Sequence, residues 1–391
     1  MKILQVISSF PPAFSYGGAL NVAFGISKEL VKKNHDVTVY TTDVYDANSR
    51  LNYTVNPELM EGIKVFHFRN ISNSLARKNL SCAPTMFFSL KNTIKIFDVI
   101  HIHEYRSFQA IFVHYYAKKY CIPYIVQAHG AVLPVFEKQW LKKIFDAIWG
   151  NTILKDASKV IALTKTEVEQ YQIMGIPKNK ICIIPNGINL SEFQNLPNKG
   201  EFRKKFHIQN NDDLILYIGR LHKTKGLDLL IDAFYELNKT TKSVRLLIAG
   251  PDDGYLSVIV NKIQELNLQN EVLVIGFIST EEKIQAFIDS DVFVLPSYSG
   301  FPVTILEACA CSLPIITTNK GDVLEWIDNN IGFVVDYDKD HLCDKIHKIL
   351  TDEQLKKKFG DEGKKLIIDR YNWTKIVSDI ERTYESIAEE F

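Results

Sequence analysis

Short runs rich in β-branched residues alternate with amphipathic stretches along nearly the whole chain, and the alternation restarts near residue 214. That rhythm marks βαβ units on a parallel sheet, because parallel neighbours need a crossover segment between them. In the first half, strands are expected at Lys2 to Ile7, Asp36 to Thr41, Lys64 to Phe68, Val99 to His103, Tyr124 to Ala128, Lys159 to Ala162 and Ile181 to Ile184. In the second they are expected at Leu214 to Gly219, Val244 to Ala249, Glu271 to Ile275, Val292 to Leu295 and Pro314 to Thr318. Leu20, Ala23, Ile26, Leu30 and Val31 recur at helical spacing, and Asn34 offers a left-handed stop. Asn189 to Gly200 is rich in Asn, Pro, Ser and Gly, as a linker is. The expected division is therefore 1–190 and 191–372, with a helical tail over 373–391 able to pack back on the first domain. A chain of 391 residues exceeds one ordinary core and suits two, which implies a cleft.

Composition excludes several classes. With 46% hydrophobic and 24% charged residues the chain is neither fibrous nor disordered, and it carries no repeat or low-complexity tract. The apolar run at Met1 to Ile7 is too short for a signal-peptide core, and no stretch approaches the roughly 18 to 20 apolar residues of a spanning helix. A cytoplasmic protein is expected. The six cysteines (82, 121, 182, 309, 311, 343) show no metal or disulfide spacing and read as reduced, mostly buried small hydrophobes. The net charge of zero hides an asymmetry: residues 1–190 hold 22 Lys and Arg against 13 Asp and Glu, leaving 24 against 33 beyond. A basic first half suits an anionic membrane face or phosphate-linked acceptor, and equally suits attraction between two domains. No basic run is interleaved with aromatics as in nucleic-acid modules, so no nucleic-acid partner is expected.

The segment Leu216-Tyr-Ile-Gly-Arg-Leu-His-Lys-Thr-Lys-Gly-Leu-Asp-Leu-Leu-Ile231 reads as strand, glycine turn, two spaced cations, second glycine, helix. A turn at Gly219 lets backbone approach a ligand, and a helix opening near Gly226 points N–H groups at it. Arg220 can grip phosphate oxygens in a bidentate manner and Lys225 adds a mobile point charge. Two solvated surface cations beside a turn is the plainer reading. His129 follows the strand ending at Ala128, so it projects from a carboxyl strand edge, where α/β sheets place ligands, or else it caps a loop. Asp252-Asp253-Gly254 reads as turn chemistry after Pro251. His101 and His103 read as packing or edge residues, with His103-Glu104 also able to line the cleft, and Lys356-Lys357-Lys358 reads as a solvated helix face. Phe136 to Trp149 mixes Lys138, Lys142 and Lys143 with Phe136, Trp140, Ile144, Phe145 and Trp149. As a helix it suits a membrane surface or a core-covering role equally, and with the basic Arg77-Lys78 to Lys95 segment it leads toward a lipid-linked acceptor.

These strings, together with Tyr16-Gly17-Gly18, Gln127-Ala128-His129-Gly130, Ile184-Pro185-Asn186-Gly187-Ile188, Leu295-Pro296-Ser297 and Leu306-Glu307-Ala308, occur in an order and spacing that resembles a family. It is the retaining glycosyltransferases of the GT-B fold, family 4 or group 1 type, which includes bacterial and archaeal polysaccharide and glycolipid transferases. The resemblance runs nearly end to end. It implies an α/β GT-B fold, with two Rossmann-like domains whose parallel sheets face across a cleft, the first binding acceptor and the second binding a nucleotide-sugar donor. It implies that Arg220 and Lys225 hold the donor diphosphate and that Glu307, at the start of a helix, binds the ribose, unless that acid merely serves the helix dipole. By the same resemblance His129 contacts the donor sugar near the reacting carbon. Gly17 and Gly18, with Gly219, let loops pass close to the donor, although a plain turn also explains the first two. No cofactor or divalent ion is implied.

One departure concerns the loop Tyr298-Ser299-Gly300-Phe301-Pro302 of the donor site. Relatives usually place a glutamate eight positions ahead of the ribose-binding one; here Ser299 stands there, and the loop is one residue shorter. A hexosyl transfer from a UDP- or GDP-linked sugar to a glycan or lipid-linked saccharide, at the inner face of the plasma membrane, is the expected activity. A nucleotide-sugar epimerase of the same architecture and a non-catalytic binding subunit are the alternatives.

Overall fold

The computed structural model describes residues 1–13, 18–46, 49–53, 55–76, 80–134, 139–297, 300–321 and 325–390. The chain divides into two compact units, Met1–Gly187 with Trp373–Phe391, and Ile188–Asn372. The division falls three residues before the boundary expected after residue 190.

The first unit is built on eight strands: β1 Lys2–Val6, β2 Asp36–Thr42, β3 Glu58–Met60, β4 Ile63–Phe68, β5 Val99–His103, β6 Tyr124–Gln127, β7 Lys159–Ala162 and β8 Ile181–Ile183. Their order is β3-β4-β2-β1-β5-β6-β7-β8, parallel except for the β3–β4 pair. From β1 the chain winds outward one way to β2 and then, from β5, the other way. The β1–β5 junction is therefore the point where strand order reverses, the place where open α/β sheets bind ligands beyond their carboxyl ends. Helix Gly18–Lys32 follows β1, and Asn34 takes the left-handed backbone, φ 66°, that stops it.

The tail returns to this unit. Helix Trp373–Ala388 buries Ile376, Val377, Ile380, Tyr384 and Ile387 at spacings of one to four residues, one face of a helix. Trp373 explains Gly25: a Cβ there would lie 2.4 Å from the indole ring, so only glycine lets the two helices come this close. Because the tail adds two bases and five acids, the excess positive charge of the first unit falls from nine to six.

In the second unit six parallel strands, β9 Asp213–Ile218, β10 Val244–Ala249, β11 Val272–Ile275, β12 Val292–Leu295, β13 Ile315–Thr318 and β14 Gly332–Val335, stand in the order β11-β10-β9-β12-β13-β14. Leu214 to Ile218 are all buried, as expected for a strand covered on both faces. The reversal lies between β9 and β12. Two sequence expectations change. Among the cysteines only Cys309 is buried, and Cys121 is exposed. Lys356 is not solvated, since it pairs with Asp291 at 3.2 Å and also with Glu353. No helix among the described residues is long and apolar enough to cross a membrane.

Candidate functional site

At the carboxyl end of β9 the chain bends at Gly219 and runs backbone to backbone against the loop after β10. Gly250 has φ 143°, and a Cβ on it would sit 1.9 Å from the Gly219 carbonyl oxygen, so this close passage requires glycine. Gly219 N–H donates to Ala249 O at 3.0 Å and Leu221 N–H to Pro251 O at 2.9 Å. The Tyr217 hydroxyl, donating to Arg220 O at 3.1 Å, fixes the bend from below. Arg220 therefore points outward, and its Nη1 donates to Asp253 Oδ2 at 2.6 Å with 63% of the arginine side chain exposed. An ion pair that open contributes little to stability and exchanges partners readily. Asp252 has the turn role expected of it, accepting from Tyr255 and Leu256 N–H, whereas Asp253 belongs to the arginine.

Lys225 closes a single turn, Lys223–Lys225, capped by His222, which accepts from Thr224 N–H. It is partly buried and has no ion-pair partner among the described residues. Burial, and then the Arg220 charge, lower its pKa, with Asp253 acting in the opposite sense. Gly226 (φ 73°) would bring a Cβ within 2.8 Å of Pro296 Cβ, so glycine is what seats this loop on the one following β12. Helix Leu227–Thr240 then begins, its unpaired N–H groups adding positive potential beside the two cations. Arg220 and Lys225 thus meet on one loop at the point of strand-order reversal.

Beyond β12, Ser299 and Tyr298 lie outside the described residues. Gly300 is left-handed at φ 70° and Pro302 precedes helix Val303–Ala310. Phe301 turns its ring into an aromatic trio, 6.0 Å from Trp326 and 5.6 Å from Tyr371. Glu307 is the fifth residue of its helix rather than at its start. One turn inside, it is past the reach of the N-terminal dipole, and its partner is Lys283, whose Nζ lies 2.5 Å from Oε1.

In the first unit Gly17 lies outside the described residues. Gly18 opens its helix, and a Cβ there would meet nothing within 4 Å, so the glycine supplies open space rather than relief of a clash. His129 and Gly130 leave β6 with two successive left-handed residues, φ 52° and 85°. Buried Glu167 holds this turn, accepting from Gly130 N–H at 2.5 Å and Leu163 N–H at 2.6 Å. Arg106 braces the next residues: it donates to Val132 O at 2.8 Å while gripping Asp146 through Nε and Nη2 at 2.8 and 2.7 Å.

His101 and His103 are not edge residues, nor does His103 line an open surface. They alternate on β5, which puts both on one face of the sheet, fully buried and stacked at 4.1 Å. His103 Nδ1 lies 2.9 Å from His129 Nε2, and His103 Nε2 lies 2.7 Å from Gln5 Oε1. Gln5 Nε2 donates to Tyr384 Oη at 3.1 Å, and Tyr384 Oη lies 2.8 Å from His101 Nδ1. Burial lowers the pKa of all three histidines, that of His129 to about 3, so the array is neutral. Glu104, left-handed at φ 64°, stands exposed at the same edge.

The segment expected as a helix over 136–149 is helical without a break from Gln139, the run continuing to Asp156. Phe136 and Lys138, like Arg77 and Lys78, lie outside the described residues. Helix Gln139–Phe145 buries nothing and passes into a π-turn at Asp146–Gly150. Trp140, Leu141, Ile144, Ile148 and Trp149 are exposed beside Lys142 and Lys143, while Phe145 packs against the core.

Sequence reasoning missed Asp253, Lys283, Glu167, Gln5 and Tyr384. A glutamine interrupting the buried apolar run Ile3-Leu4-Gln5-Val6 was the available signal, since a buried polar group needs a partner.

Residues 198–366 match the family model described as glycosyl transferases group 1, and residues 16–192 match glycosyltransferase family 4. The chain is 27% identical to an uncharacterized glycosyltransferase of Methanocaldococcus jannaschii, the alignment covering 100% of this chain and 99% of that protein. It is 28% identical to the putative teichuronic acid biosynthesis glycosyltransferase TuaC of Bacillus subtilis over 83% and 82% of the two chains. The solved structure of Anabaena Alr3699/HepE in complex with UDP and glucose shares the fold, with a TM-score of 0.79 at 20% identity over 99% of this chain and 100% of that one.

Proposed function

The chain is a glycosyltransferase of the group 1 and family 4 type with GT-B architecture, and on that premise we propose that it transfers a hexose, with retention of configuration, from a UDP- or GDP-linked donor to a glycan or lipid-linked saccharide. The observation that carries this reading is the meeting of Arg220 and Lys225 beside a helix N-terminus, on the loop where strand order reverses. As the bond from the anomeric carbon to the phosphate oxygen breaks, negative charge grows on the nucleoside diphosphate. Arg220, Lys225 and backbone N–H groups are placed to stabilise that charge, which is electrostatic catalysis. The acceptor hydroxyl forms the new bond on the same face and passes its proton to the departing phosphate oxygen. Glu307 takes the ribose hydroxyls, Gly17, Gly18, Gly219 and the Ser299-Gly300-Phe301-Pro302 loop lie along the donor, and His129 contacts the donor sugar. No metal is required in this scheme, since the two cations neutralise the diphosphate. A solved relative bound to UDP and glucose and a curated relative named for teichuronic acid biosynthesis support the donor class and a polysaccharide setting.

Retention rests on the family resemblance. The exposed Trp140, Leu141, Ile144, Ile148 and Trp149, flanked by Lys142 and Lys143, suit docking of a cytoplasmic protein on an anionic inner membrane face.

Incubating the purified protein with a panel of UDP- and GDP-sugars, with and without saccharide acceptors, tests the reading. Acceptor-dependent release of nucleoside diphosphate is expected, and the anomeric coupling of the product in proton NMR should match the donor. Isomerised donor would point to an epimerase, and binding without chemistry to a non-catalytic subunit.

A further inference from the structure

The buried array behind His129 runs through Gln5, whose two ends are chemically unlike: an amide oxygen only accepts and an amide nitrogen only donates. Gln5 Oε1 faces His103 Nε2 at 2.7 Å, so the proton in that bond belongs to the histidine. A neutral imidazole carries one N–H, which leaves His103 Nδ1 as an acceptor. The proton in the 2.9 Å contact between the two rings therefore sits on His129 Nε2. In the other direction Gln5 Nε2 donates to Tyr384 Oη, which leaves the hydroxyl its own proton to give to His101 Nδ1, 2.8 Å away. At the far end His101 Nε2 and Gln127 Oε1 are both buried atoms without a hydrogen-bond partner. Register places these groups together, since Gln5 pairs with His101 across β1 and β5, and His103 with Gln127 across β5 and β6.

We propose that Gln5, His103, Tyr384 and His101 form a one-way chain of hydrogen bonds that fixes His129 as its Nε2–H tautomer, so that His129 offers Nδ1 as a hydrogen-bond acceptor for a hydroxyl of the bound sugar. The proposal rests on the donor-site reading of His129. It deepens that reading by naming the group His129 recognises: a donor hydroxyl, not a phosphate or carbonyl oxygen, neither of which can give a proton to a lone pair. Gln5, His103 and Tyr384 are positioning residues. Two of the links join residues 379 and 283 positions apart, so the tail helix sets the chemistry of a loop it does not form.

The test uses the full chain labelled with ¹⁵N-histidine, the His129 and His103 signals being assigned by their loss in His129→Gln and His103→Gln. Long-range ¹H–¹⁵N spectra should show both rings neutral with the proton on Nε2 and a lone pair on Nδ1; a proton on His129 Nδ1 overturns the chain. Gln5→Glu, whose side chain can still accept from His103, should keep the His129 tautomer despite lower thermal stability. Gln5→Met, which can do neither job, should give a tautomer mixture and lower kcat/KM for the nucleotide sugar about 5-fold, the worth of one net hydrogen bond. Should Gln5→Met not fold, Tyr384→Phe provides the same comparison, because it removes the partner that orients the amide. A purely structural role would rank these variants by melting temperature alone, and an unchanged tautomer in Gln5→Met or Tyr384→Phe would refute the proposal. His129→Ala separates the two ideas. Wild-type turnover by that variant ends the donor-site reading while the tautomer stands, and a dead variant with a proton on Nδ1 in the parent ends the chain alone.

Discussion

At the carboxyl edge of the first sheet polar side chains are engaged with one another, whereas at the same edge of the second sheet stand two cations, one exposed and one partly buried, with little to neutralise them. Behind His129, Gln5, His103, Tyr384 and His101 are hydrogen-bonded to one another in a buried, neutral array. Arg220 has only an exposed and exchangeable partner, and Lys225 has no ion-pair partner among the described residues. The contrast separates two tasks. A neutral, internally bonded edge presents fixed hydrogen-bonding groups and selects by geometry, while an edge with under-neutralised cations holds its electrostatic capacity for charge that appears during the reaction.

The strongest way to break this contrast is Arg220→Ala. Loss of one donor to a developing oxyanion slows turnover by ~10²- to 10³-fold, while an exposed substitution shifts stability by no more than about 0.5 kcal/mol. Steady-state rates beside a melting curve will show whether the two effects separate. On the other unit the order reverses: Glu167→Ala strands the Gly130 and Leu163 N–H groups and should cost roughly 2 to 3 kcal/mol in urea unfolding.

A finer comparison comes from pH. His101, His103 and His129 have pKa values below the ordinary 6.5, that of His129 near 3, so the unfolded chain takes up their protons first. Their contribution to stability is complete above about 6.5 and is lost as pH falls toward 3. Unfolding at pH 7.5 and pH 5 should show the loss, and His129→Gln should lessen it. The smallest effect concerns Lys225, whose depressed pKa means that it deprotonates earlier in the alkaline range than a free lysine at 10.5. A diphosphate prefers the charged form, so affinity is full below the free-protein pKa and falls as pH rises through it, with proton uptake on binding in that window. Titration in two buffers of different ionisation enthalpy measures this uptake, and Lys225→Arg, which stays charged, should abolish it.

What could be read in the sequence was local. Long buried strands such as Asp213–Ile218 and Val99–His103 announce themselves by apolar runs between helical stretches. Glu58–Met60 and Gly332–Val335 did not, being edge strands of three and four residues, one after a proline and one opening on glycine. Arg220 and Lys225 were visible because one loop carries both, with its strand, glycines and helix in a single stretch. Asp253, Lys283 and Tyr384 were not, since their partners lie 33, 24 and 379 residues away and tertiary packing alone brings them together. The exposed face of Gln139–Phe145 was ambiguous for a related reason: a helix rich in Trp, Leu and Lys has the same composition whether it covers a core or meets a membrane.

Isothermal titration of UDP and of GDP into the wild-type protein and an Arg220→Ala/Lys225→Ala variant addresses the diphosphate site directly. At least one nucleotide should bind the wild type, and the double variant should lose about 100-fold or more in affinity, the worth of two charge-assisted interactions at ~1.5 kcal/mol each. Equal affinity in the two proteins, or no binding of either nucleotide to the wild type, would contradict the account.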